Sequence, residues 1–469
     1  MNRLNPLTMS QDIENNKRVL IIAYYFPPLG MGGVQRVSKF VKYLPSFGWE
    51  PVVLTVKEID YFTRDDSLLQ ELSPDLRIYR TGSFDPLRWI YLFKNLFRRT
   101  KQRSEPNPAI GRDALRNSRR SFTSAFVSFL NLFLFPDNKI GWFPFALLNG
   151  IKVCKKEKVD LLFSTSPPLT CHLVGFFLKK LTGISWVADY RDPYLSYQDA
   201  KKTASIRNLL LKNLQKSFLK RADKVISVNQ TIAQQLRGFH PQTEETEVIT
   251  NGYDKEDFEA TVKKTKDIFK IIYFGTFSPD CPAEPFLKAL SNLLNRGKTS
   301  QDKIRFIHVG ISIGMNIEKK IEEYGLKEVT ELKGYLSHKE GIEELLKSDL
   351  ALLTVSQSAP VISTGKIYEY FGAQKPILAI APQDGEAAKL IKSVGAGRVV
   401  SPGNIQEIEE AILSFYREFS NGKLFSKTNT DIAKKFERKY LTSRLAKLFD
   451  DILKRDISRS GGLRPPRRA

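Results

Sequence analysis

Short runs rich in Val, Ile and Leu recur along the chain, separated by stretches whose apolar residues fall at helical spacing. In the first half the runs are 18–24 (RVLIIAY), 51–56, 76–81, 160–166, 184–189, 224–229 and 246–250. In the second half they are 270–275, 303–310, 329–335, 349–355, 376–381 and 397–401. The runs are near-continuous rather than alternating, which marks strands covered on both faces, as in a parallel sheet. Residues 285–296, 338–348 and 404–418 carry a helical pattern between them. Strand–helix alternation of this kind predicts a doubly wound α/β fold. It occurs twice, so two Rossmann-like domains facing each other are expected.

The pattern also divides the chain. An N-terminal Rossmann-like domain is expected over 17–253 and a C-terminal one over 268–430. The charged stretch 254–266 (DKEDFEATVKKTK) has no strand pattern and is placed as the hinge. Residues 431–455 carry apolar positions at helical spacing, at Ile432, Phe436, Tyr440, Leu441, Leu445, Leu448, Phe449 and Ile452. Residues 1–16 and 456–469 read as flexible ends. No repeat with a period of roughly 20–50 residues is visible.

Composition narrows the class. The 469 residues are 42% hydrophobic and 26% charged, a globular balance with ample length for two cores. Cys154, Cys171 and Cys281 are odd in number and lack metal-ligand spacing, which suits reduced thiols in the cytoplasm. The first apolar run is short and leads into Pro27-Pro28, so it reads as a strand rather than a signal peptide. The net charge of +22 is concentrated early: residues 1–250 hold 37 Lys and Arg against 22 Asp and Glu. A basic stretch from Lys94 to Arg120 precedes the apolar run 121–135, which is shorter than the roughly 20 residues that span a bilayer. That combination over 94–135 suits a helix lying on an anionic membrane surface; it equally suits a buried helix behind a solvated basic loop.

Ligands of doubly wound sheets bind beyond the carboxyl ends of strands, near helix N-termini that favour phosphate. After the first strand comes FPPLGMGGVQR (26–36). A dinucleotide fingerprint needs a third glycine where Gln35 stands, and the second strand ends at Lys57 without an acidic residue for a ribose. This disfavours NAD. Gly32 and Gly33 still form a loop that a phosphate or sugar could approach, with Arg36 as a candidate partner. The segment SAPVISTGKIYEYFGAQKPILAIAP (358–382) is more specific. Thr364-Gly365 opens a helix carrying Lys366 and, one turn in, Glu369. That order suits backbone N–H groups and an ammonium on a diphosphate, and a carboxylate on two ribose hydroxyls.

This segment resembles the donor-binding motif of family 4 glycosyltransferases, retaining enzymes of the GT-B fold used in bacterial surface polysaccharide synthesis. The resemblance covers nearly the whole chain: GMGGVQR, PDNKIGW (136–142), STSPP (164–168), ADYRDPY (188–194), RADKVISVN (221–229), VITNGYD (248–254), YFGTFSPDCPAEPFLKAL (273–290) and KGYLSHKEGIEELLKSDLALL (333–353) follow in the family's order. It implies donor contacts at Gly275, Tyr335, Thr364, Gly365 and Glu369, and catalytic roles for Lys366, Arg191 and Asp192. It further implies a final helix crossing back to the N-terminal domain. The partners implied are a nucleotide-sugar donor and a glycan or lipid-linked acceptor, at the inner face of the cytoplasmic membrane. No resident cofactor is implied.

The sequence departs from the family pattern in three places. The first of two motif glutamates falls on Val361, a common His-Asp pair reads Arg191-Asp192, and the loop after Gly275 has no basic residue. No Asp-x-Asp motif is present, so no metal is expected and leaving-group charge falls to Lys366, Arg191 and the helix mouth. His172, His240, His308 and His338 stand apart in sequence and read as core or surface residues. A nucleotide-sugar epimerase or sugar phosphorylase would keep the fold and change the reaction. A nucleic-acid-binding protein would account for the basic charge, but no helix-turn-helix, RNP or zinc-finger pattern supports it.

Overall fold

The computed structural model describes residues 17–30, 32–57, 64–84, 134–192, 206–239, 246–259, 267–361, 364–424 and 427–459. All thirteen expected strands form. The first seven are β1 (Lys17–Ile22), β2 (Trp49–Val56), β3 (Arg77–Thr81), β4 (Leu161–Ser166), β5 (Ser185–Tyr190), β6 (Lys224–Ser227) and β7 (Glu247–Val248). They make one sheet in the order β3-β2-β1-β4-β5-β6-β7, every pairing parallel. The remaining six are β8 (Phe269–Phe274), β9 (Ile304–Val309), β10 (Thr330–Gly334), β11 (Leu350–Thr354), β12 (Ile377–Ile380) and β13 (Gly397–Val400). Their sheet is also parallel, in the order β10-β9-β8-β11-β12-β13. In both, the strand order reverses between the first strand and the fourth. That switch point leaves a crevice at the carboxyl ends.

Five helices place the residues that matter here: α1 (Gly32–Tyr43), α2 (Thr170–Thr182), α3 (His338–Lys347), α4 (Lys366–Gly372) and α5 (Arg438–Arg459). α1 follows β1 directly, and α4 lies between β11 and β12, so each enters from a strand's carboxyl end. Ser337 caps α3 in a reciprocal box with Glu340, which satisfies N–H groups left open by the first turn.

The expected returning segment splits between the domains. Ile432 and Phe436 pack on the core of the second sheet, whereas Leu441, Leu445, Leu448, Phe449 and Ile452 are buried against Val19, Phe40, Trp49 and Phe163 of the first. The Phe449 and Trp49 rings meet edge-on at 5.1 Å, and Trp49 Nε1 donates to Asp450. Burying one such aromatic stabilises by roughly 1.5–3 kcal/mol, so α5 is a strong strap. Two details correct the sequence reading. Tyr440 is exposed, and the helix continues to Arg459, so 456–459 are helical rather than a flexible end. The termini 1–16 and 460–469 lie outside the described residues, as does 85–133 within the basic and apolar stretch.

The start of the expected hinge is not a loose linker. Tyr253 N donates to Phe436 O at 3.0 Å and Arg438 N donates to Tyr253 O at 2.8 Å, so linker and strap run side by side. A Cβ on Gly252 would collide with the Phe436 carbonyl, which explains glycine there. Asp254 is buried and accepts from Lys39 at 2.7 Å, Lys42 at 3.0 Å and Tyr43 Oη at 2.6 Å. Burial opposes its charge, but these partners outweigh it and hold the carboxyl well below its usual range.

Candidate active site

Several residues expected on the donor side gather beyond β8. Gly275 closes that strand at φ 131°, a conformation that disfavours a side chain, and its N–H donates to Val309 O at 2.7 Å. A Cβ there would strike Lys366, whose ammonium lies 3.9 Å from the Tyr273 ring centre and hydrogen-bonds Tyr273 Oη. Burial lowers the Lys366 pKa, against the influence of Cys281 and Glu369. His308 sits behind this turn, with Nε2 3.1 Å from the Gly275 carbonyl. Burial pushes its pKa down to about 4, so the ring is neutral and donates Nε2–H to that oxygen. Beside it, Gly365 precedes α4 with open space where a side chain would stand, and the buried Thr364 hydroxyl has no hydrogen-bond partner among the described residues. An ammonium, a free hydroxyl and an uncovered glycine therefore share one corner. Tyr335 follows β10 and is exposed.

Arg191 and Asp192 lie just past the end of β5. Arg191 donates through Nε to Ser166 O at 3.1 Å, through Nη2 to Pro167 O at 2.8 Å, and through Nη1 to the Gly33 carbonyl. It thus ties the first turn of α1, where Gly32 and Gly33 lie rather than in the expected loop, to the carboxyl end of β4. Asp192 is exposed.

Arg36 is placed otherwise than expected. It is buried in the first domain, where Nε and Nη2 meet both oxygens of Asp189 at 3.1 and 2.9 Å. Nη1 donates to Thr250 O at 2.6 Å and Nη2 to Ile249 O at 2.8 Å. Its fork is occupied by protein, so the expectation of a phosphate contact at Arg36 is corrected. Asp189 also accepts from Thr165 at 2.8 Å, which completes a buried, hydrogen-bonded pair across the strand ends.

Glu369 is buried at 7% exposure, facing the first domain. Burial raises its pKa, while His338, Arg438 and a hydrogen bond from Gln35 work in the opposite direction. Gln35 Oε1 accepts from Arg438 Nη2 at 2.9 Å, and Gln35 Nε2 lies 3.0 Å from His338 Nδ1. His338 Nε2 lies 3.1 Å from Asp257. Gln35, Asp257, His338 and Arg438 were not singled out by sequence reasoning. The available signals were the glutamine in place of a third glycine, and the Ser337/Glu340 box that sets His338 at a helix mouth. Three of the four histidines are described: His338 lies between the domains and His308 behind the Gly275 turn, while His172 is fully buried in the core.

Val361, where the first motif glutamate would fall, offers its carbonyl to Asn229 Nδ2 at 3.2 Å, and Thr231 donates to Glu386 at 2.6 Å. These join the two domains along the far side of the cleft. Glu71, Asp254 and Asp257 form the one group of metal-ligating side chains found close together among the described residues. Lys39 sits among them, 2.5 Å from Glu71, 2.7 Å from Asp254 and 3.5 Å from Asp257, so an ammonium already meets that charge.

Two family models match in succession, Glycosyltransferase Family 4 over residues 111–257 and Glycosyl transferases group 1 over residues 254–429. The chain is a family 4-like glycosyltransferase. Solved glycosyltransferases share its fold. HepE of Anabaena, described in complex with UDP and glucose, superposes with a TM-score of 0.62 at 14% identity, covering 93% of this chain and 100% of that one. Sucrose-phosphate synthase of Thermosynechococcus elongatus gives 0.61 at 15% identity, with 94% and 100% covered. WaaG, described as a glycosyltransferase of lipopolysaccharide biosynthesis, gives 0.55 at 11% identity, with 92% and 99% covered. At these identities the likeness is one of fold. Among curated proteins none matches the sequence. The two facing sheets are therefore the GT-B arrangement, and the crevice between them is this glycosyltransferase's cleft.

Proposed function

We propose that this glycosyltransferase transfers a sugar from a nucleotide-sugar to a hydroxyl of a glycan or lipid-linked acceptor in cell-surface polysaccharide synthesis, with retention and without a metal. The carrying observation is the corner formed by Gly275, Lys366, Thr364 and Gly365. There a cation, an unpartnered hydroxyl and uncovered backbone stand ready for a diphosphate. Lys366 stabilises the charge that develops on the leaving diphosphate, and binding that strengthens in the transition state raises turnover. Glu369 takes the ribose hydroxyls, and Arg191 holds the Gly33 turn at the acceptor side beside Asp192. Solved relatives carrying UDP, glucose and UDP-glucose make UDP-sugars the first donors to try.

The basic excess of the first 250 residues favours work at an anionic membrane surface, on its cytoplasmic face. No helix among the described residues is long and apolar enough to cross a membrane. Binding to anionic liposomes that fades with salt supports this placement; equal binding to neutral vesicles opposes it.

A thermal-shift screen of UDP-, GDP- and ADP-sugars identifies the donor, because a ligand of the native state alone raises its stability. Nucleotide release that requires acceptor, persists in EDTA and yields a product with the donor's anomeric configuration is the expected result. Release or epimer formation without acceptor would overturn the transferase reading of this cleft. Inactivation by EDTA with rescue by manganese or magnesium would overturn its metal independence.

A further inference from the structure

Gln35 meets three partners at once, and they determine which way its amide points. Arg438 has no acceptor atom, so its 2.9 Å contact must be to the amide oxygen. The NH2 group then faces His338 Nδ1 at 3.0 Å and also serves the Glu369 carboxylate. His338 Nδ1 must therefore accept, which leaves its proton on Nε2, donating to Asp257 at 3.1 Å. The ring is held as one neutral tautomer, and its Nδ1 stands 3.8 Å from Glu369 Oε1.

We propose that His338 is a positioning residue for Glu369, acting through Gln35 as a proton-sensitive latch between the domains. While His338 is neutral, Gln35 bridges the domains and leaves the outer carboxylate oxygen of Glu369 to the donor ribose. When His338 gains a proton on Nδ1, two donors face each other across the Gln35 contact. The new N–H turns to Glu369, competes with the ribose and releases Gln35. This rests on the reading of Glu369 as the ribose carboxylate.

The surrounding charges set the direction. Burial works against the imidazolium, but Asp257 and Glu369 outweigh it and raise the pKa above the ordinary imidazole range, with Lys39 opposing them. Arg438 of the strap is itself held by the charges of Glu369, Asp257 and Asp254, and Asp65 accepts the His338 backbone N–H. The point of protonation thus lies above that of a free imidazole. Donor affinity is expected to weaken as pH drops through that point.

The test has two parts, both on the full chain. Neutral histidine tautomers are read by 15N NMR, with His338→Asn used to assign the signal. An Nε2–H tautomer is expected, and an Nδ1–H tautomer overturns the proposal whatever the donor is. UDP-glucose Kd is then measured over about pH 5.5 to 8.5. The wild type should lose up to about tenfold in affinity per pH unit on the acid side, as one coupled proton requires. His338→Asn keeps an acceptor but cannot titrate, so its Kd should be weaker by a few fold and flat with pH. A wild-type slope in His338→Asn, beside weakened binding in Glu369→Ala, sinks this inference alone. Unchanged binding in Glu369→Ala sinks the ribose assignment and the inference with it.

Discussion

Gly275 leaves open the space that the Lys366 side chain fills, and the two are brought together from points 91 residues apart in the chain. The backbone turn and the ammonium are one device. Gly275→Ala adds a Cβ that meets Lys366 and forces a side chain into φ 131°. A loss of about 1–3 kcal/mol in urea unfolding is expected, with a larger fall in turnover than the stability loss explains. A variant as active and as stable as the wild type would separate Gly275 from Lys366.

Lys366→Ala and Glu369→Ala should fail differently. On the proposed role of Lys366 at the departing diphosphate, kcat is expected to fall on the order of a hundredfold with a smaller change in donor KM. Glu369→Ala should chiefly weaken donor binding, by about 1.5–3 kcal/mol, the worth of hydrogen bonds to a charged group. Steady-state kinetics on both variants check this. Equal falls in kcat and donor affinity for Lys366→Ala would make it a binding residue only.

Arg36→Ala should cost about 3–5 kcal/mol, because Asp189 is then left buried and uncompensated. Replacing both residues by leucine removes the stranded charge and should recover much of the melting temperature. If Arg36→Ala melts like the wild type, the pair with Asp189 is not what Arg36 is for.

His172 makes stability depend on acid. Burial pushes its pKa down to about 3, with Asp189 opposing and Arg191 assisting. The ordinary value is about 6.5, so between these limits the unfolded chain binds a proton that the folded one excludes. Its contribution to stability is fully present above pH 6.5 or so and declines by up to about 1.4 kcal/mol per pH unit on acidification. His172→Asn should flatten this part of the stability curve in thermal melts between about pH 6.5 and 4. An unchanged slope would assign the acid sensitivity to other groups.

The strand runs and their grouping into two doubly wound sheets were legible without coordinates, because burial on both faces demands continuous apolar stretches. That demand is local, and it can be read residue by residue. The placement of Lys366 and Glu369 on one short helix beside a glycine was legible for a similar reason, since it lies inside a segment with the family's spacing. Which polar groups meet was not legible. Arg36 and Asp189 are 153 residues apart, Gln35 and His338 are 303 apart, and Gln35 and Arg438 are 403 apart. A basic residue after a glycine-rich turn looks the same whether it awaits a phosphate or is spent on a buried aspartate. The tertiary structure decided between these, because only the stacking of strand ends and the return of the last helix bring distant donors and acceptors within 3 Å or so.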